Sequence, residues 1–210
     1  MKYSAKENVL YLDNHLLALY KPASMLTQPA RDGLVNLEDL AKAYLKEHFQ
    51  KAGNVFLHPI HRLDKDVKGI VLFARTSKAL SRLQKDMREK KISRSYFATV
   101  EGFVDQDEQI LEHHLVHGSF KARLASKDEE GAKKAVLSYQ VVERGKDRTH
   151  LKVNLHTGRY HQIRAQLSFI GHPIIGDKKY GSSIVESIQL EHSKMEFTHP
   201  VSKQPCILTV

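Results

Sequence analysis

Residues His58 to Thr76 read HPIHRLDKDVKGIVLFART. An acid, Asp64, stands among His58, His61, Arg62, Lys65 and Lys68, and the sequence then turns apolar from Ile70 to Ala74. That run has the length and β-branched content of a buried strand, with Gly69 at its mouth. A carboxylate fixed just before a core strand and ringed by cations stays ionised and rigid, which suits a nucleophile. The competing reading is a surface ion pair of Asp64 with Arg62 or Lys65, an arrangement that proteins use more often.

Working outward from this stretch, Val9–Leu12 and Leu16–Tyr20 flank Asp13-Asn14 and form a hairpin. Lys21-Pro22 ends it, because proline cannot donate to a strand ladder. Pro22 to Gly33 has loop composition. Asn36 caps a helix with Glu38 and Asp39 in its first turn, and Leu37, Leu40, Ala41, Tyr44, Leu45 and His48 keep helical spacing. On the other side, Ser77 is the expected cap of a helix reaching to Lys90, with Leu80, Leu83 and Met87 inward and a basic outer face.

Ser93 to Gly102 alternates as a strand, placing Tyr96, Ala98 and Val100 on one face and Phe97 and Thr99 on the other. Short strands are expected at Ile110–Val116 and Phe120–Ala125. Longer ones are expected at Ala132–Glu143 and Thr149–His156, around a Gly145-Lys146-Asp147 turn. After a turn at Thr157-Gly158, His161–Ile170 forms a short helix with Ile163, Leu167 and Ile170 inward. Gly171 ends it in the left-handed conformation, with Pro173 just beyond. Arg159, His161 and Arg164 sit at its start, where positive charge opposes the helix dipole and calls for an anion. A substrate phosphate and a protein carboxylate both qualify. The tail from Ser187 supplies one or two closing strands. The pattern is α+β, with a mixed, largely antiparallel sheet flanked by a few helices.

With 210 residues, of which 41% are apolar and 27% charged, the chain fits one globular domain spanning 1–210. No stretch approaches the roughly 18 apolar residues of a membrane span. The N-terminus lacks the pattern of a secretory signal. Cys206 is the single cysteine, so no disulfide framework exists and a cytoplasmic location is expected. Lys and Arg number 33 against 24 Asp and Glu, a formal charge of +9 that suits a polyanion such as RNA. His58, His61 and Asp64 are spaced like metal ligands, but Pro59 breaks a regular helix there and nothing completes the set, so no metal is expected. Phosphate-binding glycine loops and the GxSxG elbow are absent from the sequence.

Three stretches together resemble the RluA-type pseudouridine synthases. The first is His61-Arg62-Leu63-Asp64 with Gly69 and Leu72-Phe73-Ala74. The second is Ser95-Tyr96-Phe97-Ala98 with Val100 and Gly102. The third runs from Thr157-Gly158-Arg159 through His161-Gln162-Ile163-Arg164 to Gly176-Asp177 and Tyr180-Gly181. Val9 to Pro22 and Phe197 to Pro200 match the family's opening hairpin and closing strand. The chain departs from the pattern at Val67-Lys68, where relatives carry Thr-Ser, and at Tyr160, where they carry Thr.

The resemblance implies a pseudouridine synthase catalytic fold with a central basic cleft, acting alone without a preceding RNA-binding domain. It implies isomerisation of uridine in rRNA or tRNA, with no cofactor and no obligate protein partner, by a monomer. By the same resemblance Asp64 is the nucleophile and Tyr96 stacks on the extruded uracil and helps remove the carbon 5 proton. Arg164 steadies the Asp64 carboxylate. Ile163 and Leu72 line the base pocket, Arg62 holds the RNA backbone or the flipped nucleotide, and Lys68, His61, Arg159 and His161 face the RNA. A non-catalytic RNA-binding module on the same fold and a histidine-dependent ribonuclease are the alternatives.

Overall fold

Hydrophobic runs from both ends of the chain meet in the first of two compact units, which contains the residues up to Ile92 and those from Ser193 onward. The second unit is the continuous segment Ser93–His192. The computed structural model describes residues 3–30 and 33–210; of the loop expected at Pro22 to Gly33, positions 31 and 32 lie outside the described residues.

In unit 1, β1 (Val9–Leu12) and β2 (Leu16–Lys21) pair antiparallel, as their apolar runs require. Asp13 closes the turn by accepting the N–H groups of His15 (2.8 Å) and Leu16 (2.7 Å) on Oδ1. The helix α1 (Leu37–His48) starts at Asn36, whose side chain accepts the Asp39 N–H at 3.0 Å. A short β3 (His58–Pro59) and β2 both pair antiparallel with β4 (Lys68–Ala74), β2 in register from Leu16 opposite Ala74 to Lys21 opposite Gly69. The apolar run that fixed the sequence reading is buried along its whole length.

The helix α2 (Ser77–Arg88) corrects one expectation. Its cap is Thr76, not Ser77: Thr76 is extended and its Oγ1 accepts the Ala79 N–H at 3.2 Å. Both hydroxyls are capable caps, but the chain leaves β4 extended through Thr76, and only a non-helical residue can turn its side chain back onto the first free N–H groups.

Unit 2 is built on β5 (Ser93–Glu101), β6 (Glu108–His117), β7 (Ala122–Ala125), β8 (Lys133–Arg144) and β9 (Arg148–Leu155). They lie in the order β5-β9-β8-β6-β7, with antiparallel pairing throughout. Tyr96, Ala98 and Val100 of β5 are buried opposite Val153, Leu151 and Thr149 of β9, as the alternation predicts, while Phe97 on the other face is 48% exposed. The helix α3 (Gln162–Phe169) packs against β6 and β7 and stops at Gly171, which has a φ of 87°.

Of α3, the residues expected to face inward were Ile163, Leu167 and Ile170. Instead every residue from Gln162 to Leu167 is buried, because the segment after the helix folds back over it: Ser168 Oγ donates to the Tyr180 carbonyl at 2.6 Å.

The chain returns to unit 1 through β10 (Leu190–Thr198), which lies beside β4 and pairs antiparallel with β11 (Pro205–Thr209). Leu16, Ile70, Leu72, Leu83, Met195 and Phe197 close one apolar cluster from four segments of sequence. The first hairpin is tied to the last by His199, whose Nε2 lies 2.9 Å from Asp13 Oδ2. His199 Nδ1 accepts the N–H groups of Val201 and Ser202, so the ring proton sits on Nε2 and is donated to Asp13. The strands and helices fit the expected α+β class, and no helix among the described residues is long and apolar enough to cross a membrane.

Candidate active site

Asp64 lies on the loop before β4, and the residues on both sides of it are clamped. On one side, Leu63 and Thr27 bond reciprocally: the Leu63 N–H donates to Thr27 Oγ1 at 3.1 Å and the Thr27 hydroxyl donates to the Leu63 carbonyl at 3.0 Å. On the other side, the Lys65 carbonyl accepts the Met25 N–H at 3.1 Å and the Lys21 ammonium at 2.9 Å. The Val67 N–H closes the turn onto the Asp64 carbonyl at 3.1 Å, and Leu63 and Val67 are buried anchors. A loop held at this density loses little entropy when its carboxylate is put to use.

Lys21 is the unusual member. It is fully buried, and its three ammonium donors go to the carbonyls of Pro22 (2.9 Å), Met25 (2.7 Å) and Lys65. Burial pushes its pKa down to about 8, against the pull of the Asp66 and Asp64 carboxylates. The charge therefore sits directly beneath the loop that carries Asp64.

Replacing Thr27 by valine keeps the shape and removes the hydroxyl. It leaves the Leu63 N–H and carbonyl without their partner, at an expected cost of about 2 kcal/mol in urea unfolding together with slower turnover. Unchanged stability would show that the pair does not hold the loop.

In unit 2, Tyr96 is buried with His192 stacked against one ring face, centroids 4.6 Å apart at 22°, so a base stacking on Tyr96 must use the opposite face. Arg164 forms a two-pronged pair with Asp177, Nε to Oδ2 at 2.6 Å and Nη2 to Oδ1 at 2.8 Å. That carboxylate is the protein's answer to the anion the helix start demanded. Tyr180 packs under the same guanidinium at 5.1 Å, and its hydroxyl accepts the Ala122 N–H at 2.8 Å and lies 3.0 Å from His161 Nδ1. Gln162 shapes the preceding turn: its Oε1 accepts from Thr157 Oγ1 (2.7 Å) and the Arg159 N–H (3.0 Å), and its Nε2 donates to the Val136 carbonyl (3.1 Å). Among the described residues no three His, Cys, Asp or Glu side chains converge where a metal could sit.

Residues 15–169 match the RNA pseudouridylate synthase family. The chain belongs to that family. It is 36% identical to a ribosomal large subunit pseudouridine synthase D of Pseudomonas aeruginosa, over 82% of this chain and 53% of that protein, so it spans about half the length of that relative. It is 31% identical to a dual-specificity RNA pseudouridine synthase RluA of Yersinia pestis, over 91% of this chain and 92% of that one. The fold is also that of human RNA pseudouridylate synthase domain containing 4, with a TM-score of 0.83 at 19% identity, covering 98% of this chain and 88% of that one.

Set on the family's three motifs, the expected site residues divide by position. Arg62 is exposed and Lys68 half-buried at the start of β4; His61 is buried, with its Nε2 3.4 Å from the Leu72 N–H. Leu72 is fully buried inside the unit 1 cluster, on a strand buried from Gly69 to Ala74. Ile163 and His161 are buried on and just before α3, His161 in the left-handed conformation at φ 50°. Arg159 stays exposed, its Nε donating to the Lys134 carbonyl at 2.9 Å.

The two departures from the family pattern also acquire structural meaning. Val67 is an apolar anchor, and Tyr160 lies stacked on His161 at 3.8 Å with the His117 ring 4.2 Å from its own. Lys21, Thr27, Gln162 and Asp177 were not read as site residues. The available signals were a lysine ending an apolar strand and an acid following the glycine at 176.

Proposed function

We propose that this protein isomerises uridine to pseudouridine in rRNA or tRNA, with Asp64 acting on the ribose, Tyr96 on the detached base and Arg164 as the cation of the reaction. Its two relatives carry names that speak of ribosomal large subunit RNA and of dual specificity, and the three motifs stand in the same order here. The observation that carries the reading is the double clamp on Leu63 and Lys65, which fixes the one carboxylate between them. In the reaction the bond from ribose carbon 1′ to uracil nitrogen 1 breaks, the base turns, carbon 5 joins carbon 1′, the carbon 5 proton is lost to water, and nitrogen 1 takes one up. Atoms and electrons balance within the nucleotide, so the proposal needs no cofactor. Extruding the base costs a few kcal/mol of stacking, which contacts of a chain with formal charge +9 to phosphates offset.

The test uses RNA tritiated at uracil carbon 5. Wild-type protein is expected to release tritium without shortening the RNA, and Asp64→Asn to abolish release while still binding. Cleavage of the RNA would support a ribonuclease, and binding without release a non-catalytic module. Loss of binding in Asp64→Asn would remove the nucleophile role.

A further inference from the structure

Every arginine of unit 2 but one has an acceptor. Arg123 pairs with Glu129, Arg144 with Asp107, Arg148 with Asp147, Arg159 with the Lys134 carbonyl and Arg164 with Asp177. Arg94 has none among the described residues, and its Nε is shut away from solvent without an acceptor. A guanidinium deprived of both water and partner at one nitrogen is costly unless a ligand compensates at the others.

Two features fix where this group stands. Arg94 precedes Tyr96 by two positions on β5, so both side chains leave the same face, with backbones roughly 7 Å apart. Its fork also lies flat on Gly158, the turn glycine between β9 and α3. A Cβ added there would stand 3.0 Å from Nη1 and 3.3 Å from Nη2. The glycine therefore admits the guanidinium, and the strand and the turn together fix where it stands. No carboxylate of the described residues meets it, and a planar fork with free Nη donors matches a phosphate oxygen pair.

We propose that Arg94 binds the RNA phosphodiester next to the target uridine and so positions the nucleotide whose base reaches Tyr96. The assignment rests on the function proposed above. The spacing supports it: a base stacked on Tyr96 and its own backbone phosphate are separated by about the same distance as two residues along a strand.

The experiment uses the full chain and a short RNA hairpin that wild type binds, holding one uridine tritiated at carbon 5. Arg94→Gln is expected to weaken binding roughly tenfold or more, and to make the slope of log affinity against log salt shallower by about 0.7 to 0.9. Arg94→Lys is expected to restore the slope but only part of the affinity, since the charge returns without the fork. A neutral methylphosphonate placed on either side of the uridine should weaken wild-type binding at one position and cause no further loss there in Arg94→Gln. Full additivity of the two losses at both positions, or an unchanged salt slope in a folded Arg94→Gln, would overturn the inference. If the wild type binds the hairpin but releases no tritium, the catalytic reading falls instead, and the salt slope still decides whether Arg94 meets a phosphate.

Discussion

Asp177→Ala is expected to destabilise the protein by about 3–5 kcal/mol and to remove all turnover. The Arg164 side chain is 6% exposed and that of Asp177 1%, and they share two short hydrogen bonds. Removing the acid takes the two-pronged partner from a buried guanidinium, and the Tyr180 ring beneath it replaces little of the lost Coulomb energy. The backbone cannot easily adjust to help. Gly176 stands at φ 81°, and a Cβ there would lie 2.4 Å from the Ser187 carbonyl oxygen, so the turn presenting Asp177 is close-packed.

Chemical denaturation of the variant against wild type checks the figure, and an unshifted midpoint would contradict it. The double variant Asp177→Leu with Arg164→Met removes both charges. It is expected to regain most of the stability, since a buried ion pair is worth little against apolar groups of similar volume. It should remain inactive. Recovery of activity with stability would reduce Arg164 to a purely structural residue.

Lys21→Met is expected to lower turnover by about a hundredfold while substrate binding changes little, because misplacing a reacting group by an ångström costs on that order. Three carbonyls lose their donor, and one of them belongs to Lys65, the residue after Asp64. The same lysine predicts a pH effect of defined sign. Burial depresses its folded pKa to about 8 from the ordinary lysine value of 10.5. Between those values the unfolded chain holds the proton more firmly, so the cost of burying the charge, complete below 8, is relieved as the pH rises and stability increases across that window.

Activity moves the other way, because the neutral amine keeps two donors for three carbonyls and removes the positive charge beneath the Asp64 loop. The pH–rate profile should therefore fall through an apparent pKa near 8 while unfolding midpoints do not fall. Loss of activity and of stability together above pH 8, or the same alkaline limb in Lys21→Met, would refute the role.

Much of this molecule is legible before any coordinates. The run Ile70–Ala74 declares a buried strand by composition, Asp13-Asn14 declares a turn, and Gly171 ends α3 because it tolerates positive φ. These are local decisions, each made by a few neighbouring residues. What stayed hidden depends on distant ones. Asp177 could not be named as a partner of Arg164, because it arrives thirteen positions later on the segment that folds back after α3. Thr27 and Lys21 sit in a loop and at a strand end, where nothing in the local pattern tells that Leu63 and Lys65 will come to rest on them. Thr76 and Ser77 offer equal capping chemistry, and only the path of the chain out of β4 chooses between them.

Unit 1 is discontinuous, and this has a consequence for synthesis on the ribosome. Its strand β4 gains β2 as soon as the segment up to Ile92 emerges. The neighbour on its other side, β10, and the His199 tie to Asp13 are translated only after the strands β5 to β9 of unit 2. A nascent chain can therefore finish unit 2 while β4 still presents a bare apolar edge, a state open to chaperones and to wrong pairing. Emergence of the segment from Leu190 to Thr209 is the event that seals it.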